Sequence, residues 1–82
     1  MIRMYTTQWC CDCFRAKSFL KQHQVPFEEI QLETTPGAAE FVIRANDGKR
    51  RVPTFEVAGR TFHCSPYDPG KLSRELGITA AK

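Results

Sequence analysis

No apolar run in this 82-residue chain approaches the ~18 residues needed to span a bilayer. The opening Met1-Ile2-Arg3-Met4-Tyr5 lacks the long apolar stretch of a signal peptide, so a cytoplasmic location is expected. Excess charge is small: the formal net charge is +3, too mild to compel a nucleic-acid partner. Repeats, low-complexity stretches and linkers are missing. Hydrophobic residues make up 41% and charged residues 26%, which excludes a disordered tail, a collagen-like chain or a coiled coil. A chain this short buries only roughly 60–65% of its unfolded surface. Residues 1–82 are therefore expected to form one domain around one small core.

Cysteine is the exception to this ordinary composition. Cys10, Cys11 and Cys13 crowd one turn, and Cys64 stands alone. A secreted disulfide scaffold spreads its cysteines to staple distant segments, and three in one turn staple nothing. In a cytosolic chain such thiols are catalytic, redox-sensing or metal-binding.

Residue patterns place these cysteines within a β-α-β-α-β-β-α order. Ile2–Thr6 alternates as a strand, and Cys13, Ala16, Phe19 and Leu20 recur at helical spacing to about His23. Pro26 stops that helix, and alternation resumes over Phe27–Leu32. Thr35-Pro36 has the form of a helix start, with a hydroxyl cap and proline at the first helical position. Ala38, Phe41, Val42 and Ala45 share the following face, and Asn46-Asp47-Gly48 ends it. Thr54–Val57 and Arg60–Cys64 flank Ala58-Gly59 as a hairpin. Asp68-Pro69 opens a last helix, Gly77 suits its end, and Ile78 is expected to pack back on it. Residues 79–82 are expected to fray, leaving about 2–78 ordered. The strand–helix–strand opening favours a right-handed crossover, and the hairpin adds an antiparallel half. An α/β fold with a four-stranded mixed sheet and helices on both faces follows.

The cysteine turn lies between the first strand and the first helix. There, unpaired amides and the helix dipole stabilise negative charge and so favour a thiolate, the nucleophile of disulfide exchange. Cys10 occupies the capping position as the expected attacker. Cys13, one turn further in on the apolar face, is the expected resolving thiol. Cys11 points roughly 100° away around the helix and reads as an exposed bystander. Asp12 favours the helix dipole but opposes a neighbouring thiolate. Pro53, before an apolar run, reads from composition as a strand-start proline.

Together these parts resemble the glutaredoxin branch of the thioredoxin fold. The resemblance is carried by Met4-Tyr5-Thr6-Thr7, Trp9-Cys10 with Cys13, Arg15-Ala16-Lys17, Leu20 and Val52-Pro53-Thr54. The stretch from Phe41 through Arg44, Asn46, Gly48 and Arg50 to Thr54 is similar to mycoredoxins and bacterial glutaredoxin-like proteins. It implies a thioredoxin-like fold in which Pro53 is cis and faces the cysteine pair. Val52 would then offer its backbone to the substrate thiol. Arg50, Arg51 and Ser65 would join Val52 and Pro53 in binding that thiol. The sequence departs from the family at Arg51, where many glutaredoxins have Thr. It departs again at Phe62-His63-Cys64-Ser65, which lacks the Gly-Gly that receives the γ-glutamyl end of glutathione.

Three activities compete on these grounds. The first is a monomeric disulfide oxidoreductase acting on protein disulfides or mixed disulfides. It holds no tightly bound cofactor, and glutathione or another low-molecular-weight thiol is its reductant. Lys49-Arg50-Arg51 would attract that thiol's carboxylates, although the same run also suits a solvated loop after a helix. The second is an electron carrier fed by a flavoprotein such as thioredoxin reductase, serving for example ribonucleotide reductase. The third is a metal or iron–sulfur module using Cys10, Cys13, His63 and Cys64. Adjacent strand residues point to opposite faces, which argues against that last set.

Overall fold

Alternation along β1 (Ile2–Thr6) sends Met4 and Tyr5 into two different cores, and the rest of the chain packs around that division. The computed structural model describes residues 2–64 and 66–77. After β1 come α1 (Cys11–Gln22), β2 (Phe27–Gln31) and α2 (Ala38–Ala45). The hairpin β3 (Thr54–Val57) and β4 (Arg60–His63) follows, and α3 (Pro69–Leu76) closes the order.

The sheet runs β2-β1-β3-β4. β1 and β2 are parallel, with Met4 opposite Glu29, while β1–β3 and β3–β4 are antiparallel. This is the four-stranded mixed sheet that the patterns imply. On one face Met4 and Phe55 meet Cys13, Ala16 and Leu20 of α1 and Leu72 of α3. On the other, Tyr5 and Leu32 meet Ala38 and Val42 of α2.

Local chemistry accounts for most boundaries. Gln24 takes a left-handed φ of 56° after α1, and Val25 N–H donates back to the Leu20 carbonyl at 2.9 Å. This closing turn ends α1 before Pro26 does. Ala58 and Gly59 both have positive φ, 52° and 80°, as the tight hairpin turn requires. Asp68 caps α3 through Gly70 and Lys71 N–H, Pro69 follows, and Gly77 ends it left-handed at φ 69°.

One expected boundary is corrected. Thr35 does not cap α2, and Pro36 does not open it. Gly37, at φ 83°, is the residue before the helix, and a left-handed residue cannot continue a right-handed turn from Pro36. The Thr35 carbonyl instead accepts the Ala38 N–H at 3.2 Å, so Thr35-Pro36 is spent in the turn after β2. The expected packing of Ile78 and fraying of 79–82 lie outside the described residues.

Candidate active site

The turn from β1 into α1 places Cys10 as the N-cap, in extended conformation. Its sulfur accepts the Cys13 N–H at 3.0 Å, satisfying one of the amides that a helix start leaves without a partner. Cys13 sits one turn inside, buried in the α1/α3 core. Burial pushes its thiol well up, the hydrogen bond with Cys10 adds to this, and the Thr7 backbone opposes it. One sulfur is thus half-buried and poised at the surface, and the other is held protonated beneath it.

Asp12, between them, forms an i,i+3 ion pair with Arg15 at 3.6 Å. Cys11 is exposed. It borders a shallow cleft with Cys10, Trp9 and Phe14. Trp9 is 87% and Phe14 68% exposed, an apolar shelf directly beside Cys10. The sequence patterns did not single out this shelf. Its one signal is Phe14, an aromatic off the Cys13/Ala16/Leu20 face of α1.

From the opposite side, the Val52 carbonyl approaches, and the Cys10 thiol donates to it at 3.7 Å. The Val52–Pro53 bond is cis, as the resemblance implies. This loop is pinned at both ends. The Pro53 carbonyl accepts Cys64 N–H at 3.0 Å. The Arg51 carbonyl accepts the buried Thr54 hydroxyl at 2.6 Å. Asn46, at the end of α2, then donates to Thr54 Oγ1 at 3.1 Å and to the Val42 carbonyl at 2.8 Å. Asn46 therefore ties the helix, the loop and β3 together.

The basic run divides. Lys49 and Arg51 line a cleft of about 340 Å³ with His63 and Lys71. Arg50 does not line it and acts instead on Glu33, whose carboxyl is held low chiefly by the Gln8 N–H, with Arg50 contributing. Ser65 lies outside the described residues. Cys64 is buried, and its sulfur exchanges bonds with Asp68, donating to the carbonyl at 3.4 Å and accepting the N–H at 3.3 Å. Burial raises its thiol, with the Asp68 backbone opposing. Cys64 packs into the core with Cys13 and Leu72, whereas His63 lines the cleft. Among the described residues, no three His, Cys, Asp or Glu side chains gather as a metal set. No described helix is long and apolar enough to cross a membrane.

Comparison with known proteins agrees with this geometry. The glutaredoxin family profile matches residues 2–62. A Mycobacterium tuberculosis protein carrying the glutaredoxin name is 40% identical over 65 residues, covering 79% of this chain and 77% of its own length. The glutaredoxin-like protein NrdH of Lactococcus lactis is 28% identical over 74 residues, covering 90% of this chain and 97% of its own. Among solved structures, NrdH-redoxin from Escherichia coli superposes with a TM-score of 0.74 at 26% identity, covering 99% of this chain and 97% of its own. The chain belongs to the glutaredoxin family, redox proteins built on the thioredoxin-like fold.

Proposed function

We propose that this protein is a dithiol oxidoreductase that reduces protein disulfides or mixed disulfides. The reading rests on one observation: the Cys10 sulfur caps α1 and receives the Cys13 amide at 3.0 Å, with the Cys13 thiol buried one turn inside. The Cys10 thiolate attacks one sulfur of a substrate disulfide. A mixed disulfide forms, and the other substrate sulfur leaves as thiolate with the electron pair. Cys13 then loses its proton and attacks the Cys10 sulfur. The second substrate thiolate is released and takes up a proton, and Cys10 and Cys13 are left joined. The substrate gains two electrons, and the cysteine pair supplies them.

Val52 offers its carbonyl edge to the incoming sulfur, and Pro53 sets the direction of that edge. Arg51 supplies a cation beside them for the carboxylate of a reducing thiol such as glutathione. Arg50, which does not line that cleft, adds only to the general field. The Trp9/Phe14 shelf gives a protein substrate apolar contact next to Cys10. Crowded thiols suit the reducing cytosol, where the protein acts as a monomer.

A second reading is favoured by one feature. Where glutathione-binding members have Gly-Gly, Cys64 is buried and bonded to Asp68. That favours a carrier recharged by thioredoxin reductase, and the NrdH relatives lean the same way, one of them described as having a thioredoxin-like activity profile. A donor comparison separates the two. Reduced glutathione with its reductase, mycothiol, and thioredoxin reductase with NADPH are each offered, and reduction of a disulfide is followed. Turnover with a small thiol supports the first reading; turnover with thioredoxin reductase alone replaces it with the second.

A further inference from the structure

β4 is an outer strand of the sheet, with β3 on one side and, among the described residues, no further strand beyond it. Pairing places Thr54 and His63, and Glu56 and Thr61, opposite one another, while Tyr5 pairs with Thr54 on the face that α2 covers. Thr61 and His63 therefore share the α2 side of β4. Between α2 and this edge lie two cavities of about 340 and 330 Å³. Both are bordered by Ala45 and Thr61, so they lie side by side along this edge as the two halves of an α2–β4 groove.

The two halves of the groove differ in chemistry. One end is apolar, built on Phe41 and Ala45, with Arg44 at its margin. The other carries Lys49, Arg51 and Lys71 around His63, and among the described residues Asp47 is the only carboxylate lining either half. Among the described residues, none of Arg44, Lys49, Arg51 and Lys71 takes part in an ion pair. Lys71 and Arg51 line the same cleft as His63, and after burial they are the next causes that disfavour charge on it. Unneutralised positive charge of this density attracts carboxylates. A small anion would satisfy the basic end and leave the apolar end open. An extended polypeptide fits both, and an open strand edge is a ready template for one. The basic end also leads to the reactive sulfur, because Arg51 adjoins Val52, whose carbonyl is 3.7 Å from Cys10.

We infer that the α2–β4 groove is a docking site for an extended acidic segment of the disulfide-bearing protein partner. Apolar side chains of the segment lie over Phe41 and Ala45, and its carboxylates lie among Lys49, Arg51 and Lys71. The identity of the partner rests on the oxidoreductase reading; the binding of such a segment does not.

The test therefore uses a probe without redox chemistry. A short fluorescent peptide with an apolar half and a Glu/Asp half, free of cysteine, is titrated into the full chain. Anisotropy gives affinity, and backbone amide NMR gives location. Saturable binding is expected, with shifts concentrated in Phe41–Ala45 and Arg60–His63. The Arg44→Gln/Lys71→Gln variant should weaken it about fivefold at low salt, since exposed charge pairs contribute modestly. Thr61→Glu, at an exposed position midway along the groove, should weaken it as well. A peptide with Lys for its acidic residues should not bind. Cys10→Ser protein should bind the peptide as wild type does, so failure of the redox reading leaves this result intact. Absence of saturable binding, affinity unchanged in both variants, or shifts confined to Trp9 and Phe14 would each overturn the inference. So would full competition by inorganic phosphate, which would make the groove a small-anion site.

Discussion

The Cys13 amide donates to the Cys10 sulfur at 3.0 Å, while the Cys13 thiol lies buried one turn inside α1. One residue therefore supports the sulfur above it through its backbone and keeps its own sulfur in reserve. The first does not need the Cys13 side chain, and the second does.

That separation gives a division of labour. Cys10→Ser should abolish exchange. Cys13→Ser keeps the amide, so reduction of mixed disulfides should persist while reduction of protein disulfides that need a resolving thiol is lost. Cys11 is exposed and makes neither contact, so Cys11→Ser should leave most activity. Assays with a glutathione mixed disulfide and with a protein disulfide check all three. Equal damage from Cys11→Ser and Cys10→Ser would reassign the nucleophile.

Asn46 acts at a distance from sulfur. It bonds Thr54, which bonds the Arg51 carbonyl, and so fixes the segment that carries Val52. Asn46→Ala should cost roughly 1–3 kcal/mol of stability, because Thr54 Oγ1 and the Val42 carbonyl each lose a partner. Turnover should fall further than stability alone explains, with alkylation of Cys10 unchanged. Denaturant melts beside single-turnover kinetics read the two effects separately. Activity equal to wild type would mean the loop holds its place without Asn46.

Legibility in the sequence followed the range of the forces involved. Local signals, such as alternation in Ile2–Thr6, the α1 apolar face and the Asp68-Pro69 start, correspond to elements in the structure. Thr35-Pro36 misled because a left-handed Gly37 overrode a favourable pair. The cysteine turn was readable because capping is local. The cleft beside Val52 was only half readable: Lys49 and Arg51 are near it in sequence, whereas His63 and Lys71 arrive from β4 and α3. Which of Arg50 and Arg51 faces it depends on the loop's course, which no spacing rule contains.

Acid should weaken the contact between α1 and β2. Burial would raise the Glu29 carboxyl, but hydrogen bonds from Lys17 at 3.0 Å and Thr6 at 2.9 Å outweigh it and hold it below its ordinary 4.5. The unfolded chain then binds the proton more readily. The stabilisation is complete above about 4.5 and is lost as pH falls through the lower folded value. Thermal melts across this window should show wild type losing stability more steeply than Glu29→Gln. Parallel slopes would remove Glu29 from the acid response.

The arginines flanking the Val52 loop should separate kinetically. Arg51 lines the cleft beside Val52, and Arg50 does not. Guanidinium grips a carboxylate through two parallel hydrogen bonds, so Arg51 can hold the charged end of a small reducing thiol. Exposed pairs contribute about 0.2–1 kcal/mol, so Arg51→Gln should raise KM for that thiol a few-fold, up to about fivefold. Arg50→Gln should change KM little, because Arg50 does not line the cleft. The Arg51→Gln effect should shrink as salt rises and screens the contact. Neither substitution touches the Cys10–Cys13 geometry, so kcat at saturating thiol should hold in both. Steady-state kinetics at low and high ionic strength decide the matter. Equal KM increases for the two variants would mean that general field, not contact at Arg51, attracts the thiol. An unchanged KM in both would return the basic run to the role of a solvated loop.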